Sequence, residues 1–113
     1  GATLGERATG LALVGATEAG PELLDALLER VAKDPSPGLR QEAADALALF
    51  ADRPGLRERV VAMLAQERDP QVQLALVDLL GACREQAARR ALKRLLEAGT
   101  LQEPARARAQ QLL

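Results

Sequence analysis

The sequence predicts an all-α protein, a superhelix of stacked antiparallel helical hairpins with about seven helices. Ala and Leu, which both favour helices, make up 45 of the 113 residues. Apolar residues recur at the three- and four-residue spacing of amphipathic helices. Asp-Pro pairs begin at Asp34 and Asp69, and the apolar pattern of the helix that follows each pair repeats with a period of 33 residues.

This period aligns the same helical face in three successive helices, which we call the B helices. The aligned positions have the spacing i, i+4, i+7 and i+8, so they predict a core face. They are Leu39, Ala43, Ala46 and Leu47 in the first copy, Val72, Leu76, Leu79 and Leu80 in the second, and Ala105, Ala109, Leu112 and Leu113 in the third. A degenerate copy of the pattern lies one period earlier.

A second set of amphipathic helices, the A helices, lies between the B helices. One hairpin of an A and a B helix cannot bury its apolar face alone, so neighbouring hairpins should stack. We expect one domain over residues 1–113, with a half repeat at 4–16 and full repeats at 21–51, 54–83 and 85–113. The predicted helices span about residues 5–15, 21–33, 37–51, 54–66, 70–83, 85–97 and 103–113.

Prolines and short polar residues mark the starts of these helices. Pro21 and Pro54 should open A helices, because the N–H that proline lacks would have no intrahelical acceptor in the first turn. Asp34, Ser36 and Asp69 precede prolines at the starts of B helices, where a side-chain oxygen can accept from free backbone N–H groups.

The stretch DPSPGLRQEAADAL, which begins at Asp34, resembles the turn and second helix of a HEAT repeat. The resemblance implies that Asp34 and Arg40 belong to a ladder of side-chain bonds between neighbouring repeats. Arg40 and Arg106 keep the basic position, but the middle repeat has Gln73 there, and the residue matching Asp34 is Glu67 in the second repeat and Thr100 in the third. We therefore expect the ladder to be incomplete.

A longer run, residues 23–81, is similar to the C-terminal HEAT segments of bacterial membrane-anchored, zinc-finger anti-sigma proteins. This resemblance implies the sensory or scaffold half of a signalling regulator. The zinc finger and membrane helix of those proteins lie upstream of their repeats, and neither pattern occurs in this sequence.

The composition argues against catalysis and against bound cofactors. Without histidine, the common general base and the common metal ligand are both missing. No phosphate-binding glycine motif occurs, and no apolar run is long enough to span a membrane. Cys83, one period after Phe50, should be a buried and inert thiol. The single cysteine excludes an internal disulfide without assigning a compartment.

The B helices should line the concave side of the stack, and their outward positions form the first candidate site. Asp45 and Asp78 are one period apart, roughly 10 Å by helix-packing distance. Leu74 and Val77 lie beside them and either contact a partner or pack between repeats. The predicted partner is a basic amphipathic helix or extended segment. The candidate residues are Gln41, Asp45, Leu74, Asp78 and Gln111.

A cluster of basic residues forms the second candidate site. Residues 1–56 carry nine acids and five bases, whereas residues 57–113 carry seven acids and ten bases. Five of those bases fall within eleven residues and could bind an anionic partner such as nucleic acid, although a solvated face explains them as well. They are Arg84, Arg89, Arg90, Lys93 and Arg94.

The sequence thus predicts a non-catalytic scaffold that binds another protein through its concave face. Nucleic-acid binding is the alternative, and the shortage of aromatic residues for base stacking and the acidic pI of about 5.5 argue against it. Weak self-association through the exposed ends of the stack is expected as well.

Overall fold

The computed structural model describes residues 20–83 and 86–113, and every regular element in these ranges is a helix. The ends of the helices lie within two residues of the predicted ones, except that the α-helical part of the helix predicted at 37–51 ends at Ala46. The helix predicted at about residues 5–15, and with it the half repeat 4–16, lies outside the described residues. The elements are α1 (Gly20–Lys33), α2 (Pro37–Ala46), a 3-10 turn η1 (Leu47–Phe50), α3 (Leu56–Gln66), α4 (Pro70–Ala82), α5 (Gln86–Ala98) and α6 (Ala105–Leu112).

The helices form three hairpins that stack in sequence order. The A helices are α1, α3 and α5, and each packs against the B helix that follows it. The B helices α2, α4 and α6 also pack closely against one another, whereas the A helices scarcely touch across the stack. The B layer is therefore the more closely packed of the two, and the described part of the chain is elongated, with extents of 51 × 28 × 19 Å.

The core lies between the two layers, and the period of 33 predicts most of it. Val72, Leu76, Leu79 and Leu80 are all buried on α4, which has a B helix on both sides. Two predicted core positions, Leu39 and Leu113, are wrong, because their side chains are 40% and 46% exposed. Among the described helices, α2 and α6 each have a B helix on one side only, so the same register is less covered there.

Local capping explains where the helices begin. The Ser36 hydroxyl accepts from the N–H of Leu39, and the Asp69 carboxylate accepts from the N–H groups of Gln71 and Val72, as predicted. Asp34 acts one step earlier, because it accepts from the N–H of Ser36 in the turn.

The predicted start of the second A helix at Pro54 is wrong. Gly55 has a φ of +86°, a left-handed conformation that favours glycine, so the chain turns there and α3 begins only at Leu56. Pro54 therefore belongs to the turn before the helix. The last turn of the helix predicted to span 37–51 is the 3-10 turn η1.

The corner between the first two repeats is held by a bidentate ion pair. Arg40 donates from Nε and Nη2 to the two carboxylate oxygens of Glu67, at 3.2 Å each, and from Nη1 to the carbonyl of Asp34 at 2.8 Å. The second Glu67 oxygen also accepts from the N–H of Asp69 at 2.9 Å. The side chains of Arg40 and Glu67 are both largely buried, so this ion pair lies between the two repeats and links them.

The next corner has Gln73 in the place of Arg40, so the charged ladder is interrupted in the middle repeat, as predicted, but hydrogen bonds of Gln73 still link the repeats. The Gln73 amide donates to the carbonyls of Glu67 and Thr100 and accepts from the N–H of Gln102 at 2.8 Å. Thr100 has no carboxylate to accept from that N–H, and the Gln73 carbonyl oxygen accepts in its place. A neutral amide that both donates and accepts thus replaces a charged pair.

Candidate protein-binding face

The exposed sides of α2, α4 and α6 form one continuous surface, which we call the B-helix face. It contains all five residues predicted for the concave site. Asp45, Asp78 and Gln111 are exposed, and Gln41 and Leu74 are half-buried. Exposed alanines, Ala48 and Ala107, lie on the same helices or directly beyond them. Such small side chains allow a partner to approach the backbone closely.

Val77 does not belong to this face. Its side chain is fully buried within the core, so the interpretation that it packs between repeats is correct for this residue. Leu74 also packs against the core but keeps part of its surface exposed. Of the two apolar residues predicted beside Asp45 and Asp78, only Leu74 is therefore partly accessible on the B-helix face.

Arg108 is a member of the B-helix face that the sequence analysis missed. Its Nε donates to Asp78 at 2.6 Å and its Nη1 donates to Gln111 at 3.3 Å, so it connects two predicted site residues. The spacing of the repeats could have identified Arg108. Arg108 is three residues short of one period after Asp78, which places it one helical turn before Gln111 on the neighbouring B helix.

Asp45 differs from Asp78 because no ion pair or hydrogen bond of its carboxylate is found among the described residues. Partial burial by the neighbouring helices raises the pKa of Asp45 above its usual value, and the carboxylates of Asp78 and Glu42 raise it further. Asp45 and Asp78, one period apart on neighbouring B helices, thus repel each other. The B-helix face thus carries an unbalanced negative charge at Asp45 and a balanced one at Asp78.

We expect Asp45→Asn to stabilise the protein slightly at pH 7. Because the pKa of Asp45 in the folded state is above its ordinary value of 3.8, the folded state binds the proton more tightly than the unfolded state does. The free energy of unfolding therefore falls as the pH rises through this window, and the amide removes that cost. Urea unfolding at pH 7 and pH 3 measures it: the gain should be present at pH 7 and absent at pH 3. A gain in stability of equal size at pH 7 and pH 3 would contradict the assignment of the raised pKa to Asp45. An equal gain in the control variant Asp52→Asn, in an exposed turn, would contradict it as well.

The basic cluster lies on α5, in the A layer. Arg89, Arg90, Lys93 and Arg94 are exposed, and Arg89 donates to the carbonyl of Leu113 at 2.6 Å. Arg84, the fifth predicted member, lies outside the described residues. The two candidate sites therefore occupy different layers of the stack and do not combine.

Other kinds of site are not found in the described part of the chain. No group of three or more potential metal ligands occurs there, and no helix there is long and apolar enough to cross a membrane. Cys83 is buried, as predicted.

Hairpins of two helices that stack in sequence order define an α-solenoid repeat protein. A comparison with protein families matches residues 8–113 to the HEAT repeats, so the chain belongs to the HEAT-repeat family. Members of this family generally act as scaffolds in protein–protein interaction and are typically not catalysts. Comparisons with curated proteins and with solved structures gave no match.

Proposed function

We propose that the chain is a scaffold module whose B-helix face binds a basic amphipathic helix or extended segment of another protein. The observation that carries the proposal is the carboxylate of Asp45, which has no partner among the described residues and feels the repulsion of two further carboxylates, those of Asp78 and Glu42. A lysine or arginine from a partner relieves that repulsion and forms a charge-assisted hydrogen bond. Asp45 is therefore the anchor of the site.

The rest of the face supports the same kind of partner. Leu74 offers a partly exposed apolar contact one period beyond Gln41, and exposed Ala48 and Ala107 leave room for a helix or strand to lie across the layer. Asp78 already has Arg108 as a counter-ion, so it adds specificity rather than net charge. The expected ligand thus has one basic residue and a nearby apolar one.

We expect Asp45→Lys to weaken binding of such a peptide about tenfold or more, because it replaces attraction by repulsion at the anchor. Random peptides displayed on phage and selected on the wild-type chain should be enriched in lysine or arginine beside an apolar residue. Their affinity for the wild type and for Asp45→Lys is then compared by fluorescence polarisation. Asp25→Lys, an equal charge change on the exposed side of α1, is the matched control. Selected peptides that bind Asp45→Lys as tightly as the wild type would contradict the proposal.

Nucleic-acid binding through the basic cluster finds less support. Phe50 is the one aromatic residue of the chain, and it is buried in the core. No aromatic side chain among the described residues is therefore available to stack on a base. Affinity for duplex DNA that disappears with modest salt would reflect counterion release alone.

A regulatory role is the finer part of the proposal and rests on the resemblance of residues 23–81 to the HEAT segments of anti-sigma proteins. In that case the module is the sensory half of a bacterial signalling protein. The sequence that precedes the module in its parent gene tests this role. A Cys/His finger followed by a membrane span supports it, and a further run of hairpins contradicts it.

A further inference from the structure

A groove runs between α3 and α5, in the layer away from the B-helix face. It arises because these two A helices scarcely touch. Its floor consists of the half-buried side chains of Val61, Ala87 and Ala91. The two alanines are four residues apart on α5, so they leave a short trough where longer side chains would fill the space. The groove measures about 350 Å³, at the small end of ligand clefts, which suits one or two side chains.

The rim of this groove is cationic. Arg90 and Arg94 rise from α5 on one side, and Arg57 on α3 is paired with Glu58 on the other. No ion pair or hydrogen bond of Arg90, Lys93 or Arg94 is found in the described part of the chain. Arg90 and Arg94 are also a like-charge pair one helical turn apart, which destabilises a helix. An anionic group between them would relieve this repulsion.

We infer that the α3–α5 groove binds an acidic segment of a partner protein, with one apolar side chain seated on the alanine floor. The two features need different parts of the same ligand, because the rim requires carboxylates and the floor requires an aliphatic group. A nucleic acid supplies the negative charge but no aliphatic side chain of the length of leucine for the floor. The inference does not depend on the B-helix face, since no residue is shared between the two surfaces.

A simple probe is a short peptide in which glutamates flank one central leucine, titrated into the ¹⁵N-labelled chain and followed by amide chemical shifts. We expect saturable shifts at Val61, Ala87 and Ala91. Replacing the central leucine by alanine, or the glutamates by glutamines, should weaken binding severalfold in each case. Shifts spread evenly over all exposed cations, or no saturable shifts, would overturn the inference.

Two pairs of variants separate the groove from a merely cationic helix. Arg90→Glu with Arg94→Glu should weaken binding of the peptide roughly tenfold. Arg89→Glu with Lys93→Glu changes the charge of α5 equally, outside the groove, and should change affinity by less than about threefold. Ala91→Leu fills the trough without changing the charge of the groove. It should weaken binding of the peptide while leaving binding of an oligothymidine unchanged. Equal losses in the two charge-reversed pairs, or no loss in Ala91→Leu, would show non-specific polyanion binding and contradict the groove. Circular dichroism establishes that each variant is folded.

Discussion

Replacement of Gln73 by leucine is expected to lower the free energy of unfolding by about 2–4 kcal/mol. Gln73 is 1% exposed and is the buried polar residue in the described core. Its amide satisfies the N–H of Gln102 and the carbonyls of Glu67 and Thr100, which connect the second and third repeats. Leucine fills the volume but leaves these groups without a partner. Urea unfolding followed by circular dichroism measures the change.

Gln71→Leu is the matched control, because Gln71 is exposed on the same helix and its substitution should change stability by no more than about 0.5 kcal/mol. Gln73→Arg restores the residue type found at position 40, yet it should also destabilise, because arginine cannot accept from the N–H of Gln102. Adding Thr100→Glu should recover part of the loss, since Glu67 makes that bond in the preceding corner. Additive effects of these two substitutions would contradict the proposed exchange of roles.

Replacement of Phe50 by alanine is expected to destabilise the protein by about 3–5 kcal/mol. Phe50 is 1% exposed and lies in η1, which packs against α1, α2 and α4, so its ring fills the space where two repeats meet. The Arg53 guanidinium lies 5.6 Å from the ring centroid, a cation–π contact that would be lost as well. Thermal and urea unfolding measure the loss.

Leu49→Ala is the control for Phe50→Ala, since Leu49 is the neighbouring residue and is 56% exposed. Its substitution should change the free energy of unfolding by about 0.5 kcal/mol or less. Similar losses for the two variants would mean that η1 is not anchored to the core through Phe50.

The period of 33 residues predicted the helices well because burial repeats with it. Val72, Leu76 and Leu80 are apolar at helical spacing, and a hairpin with a B helix on both sides buries that face. The start of α3 was misplaced because proline alone fits both a first helical turn and a turn before a helix. Only the left-handed conformation of Gly55 distinguishes the two.

The ladder and the B-helix face were harder to predict, because their chemistry depends on pairs of residues from different repeats. Gln73 can take the place of a basic residue only because it bonds to the backbone of Thr100 and Gln102. A comparison of equivalent positions shows the changes at Gln73 and Thr100 as two unrelated departures from the pattern. Arg108 reaches Asp78 from one turn away from the equivalent position, so the same register overlooks it. The burial of Val77 could be recognised only once the packing of the three B helices was known.

The most direct test of the account is to map where a selected basic peptide binds, by its effect on the amide chemical shifts of the ¹⁵N-labelled chain. We predict that the largest shifts fall on the B-helix face, at Gln41, Asp45, Asp78 and Arg108, and that Asp45→Lys removes them. Shifts confined to α1, α3 and α5, or shifts that survive in Asp45→Lys, would contradict the claim that the B layer is the binding surface.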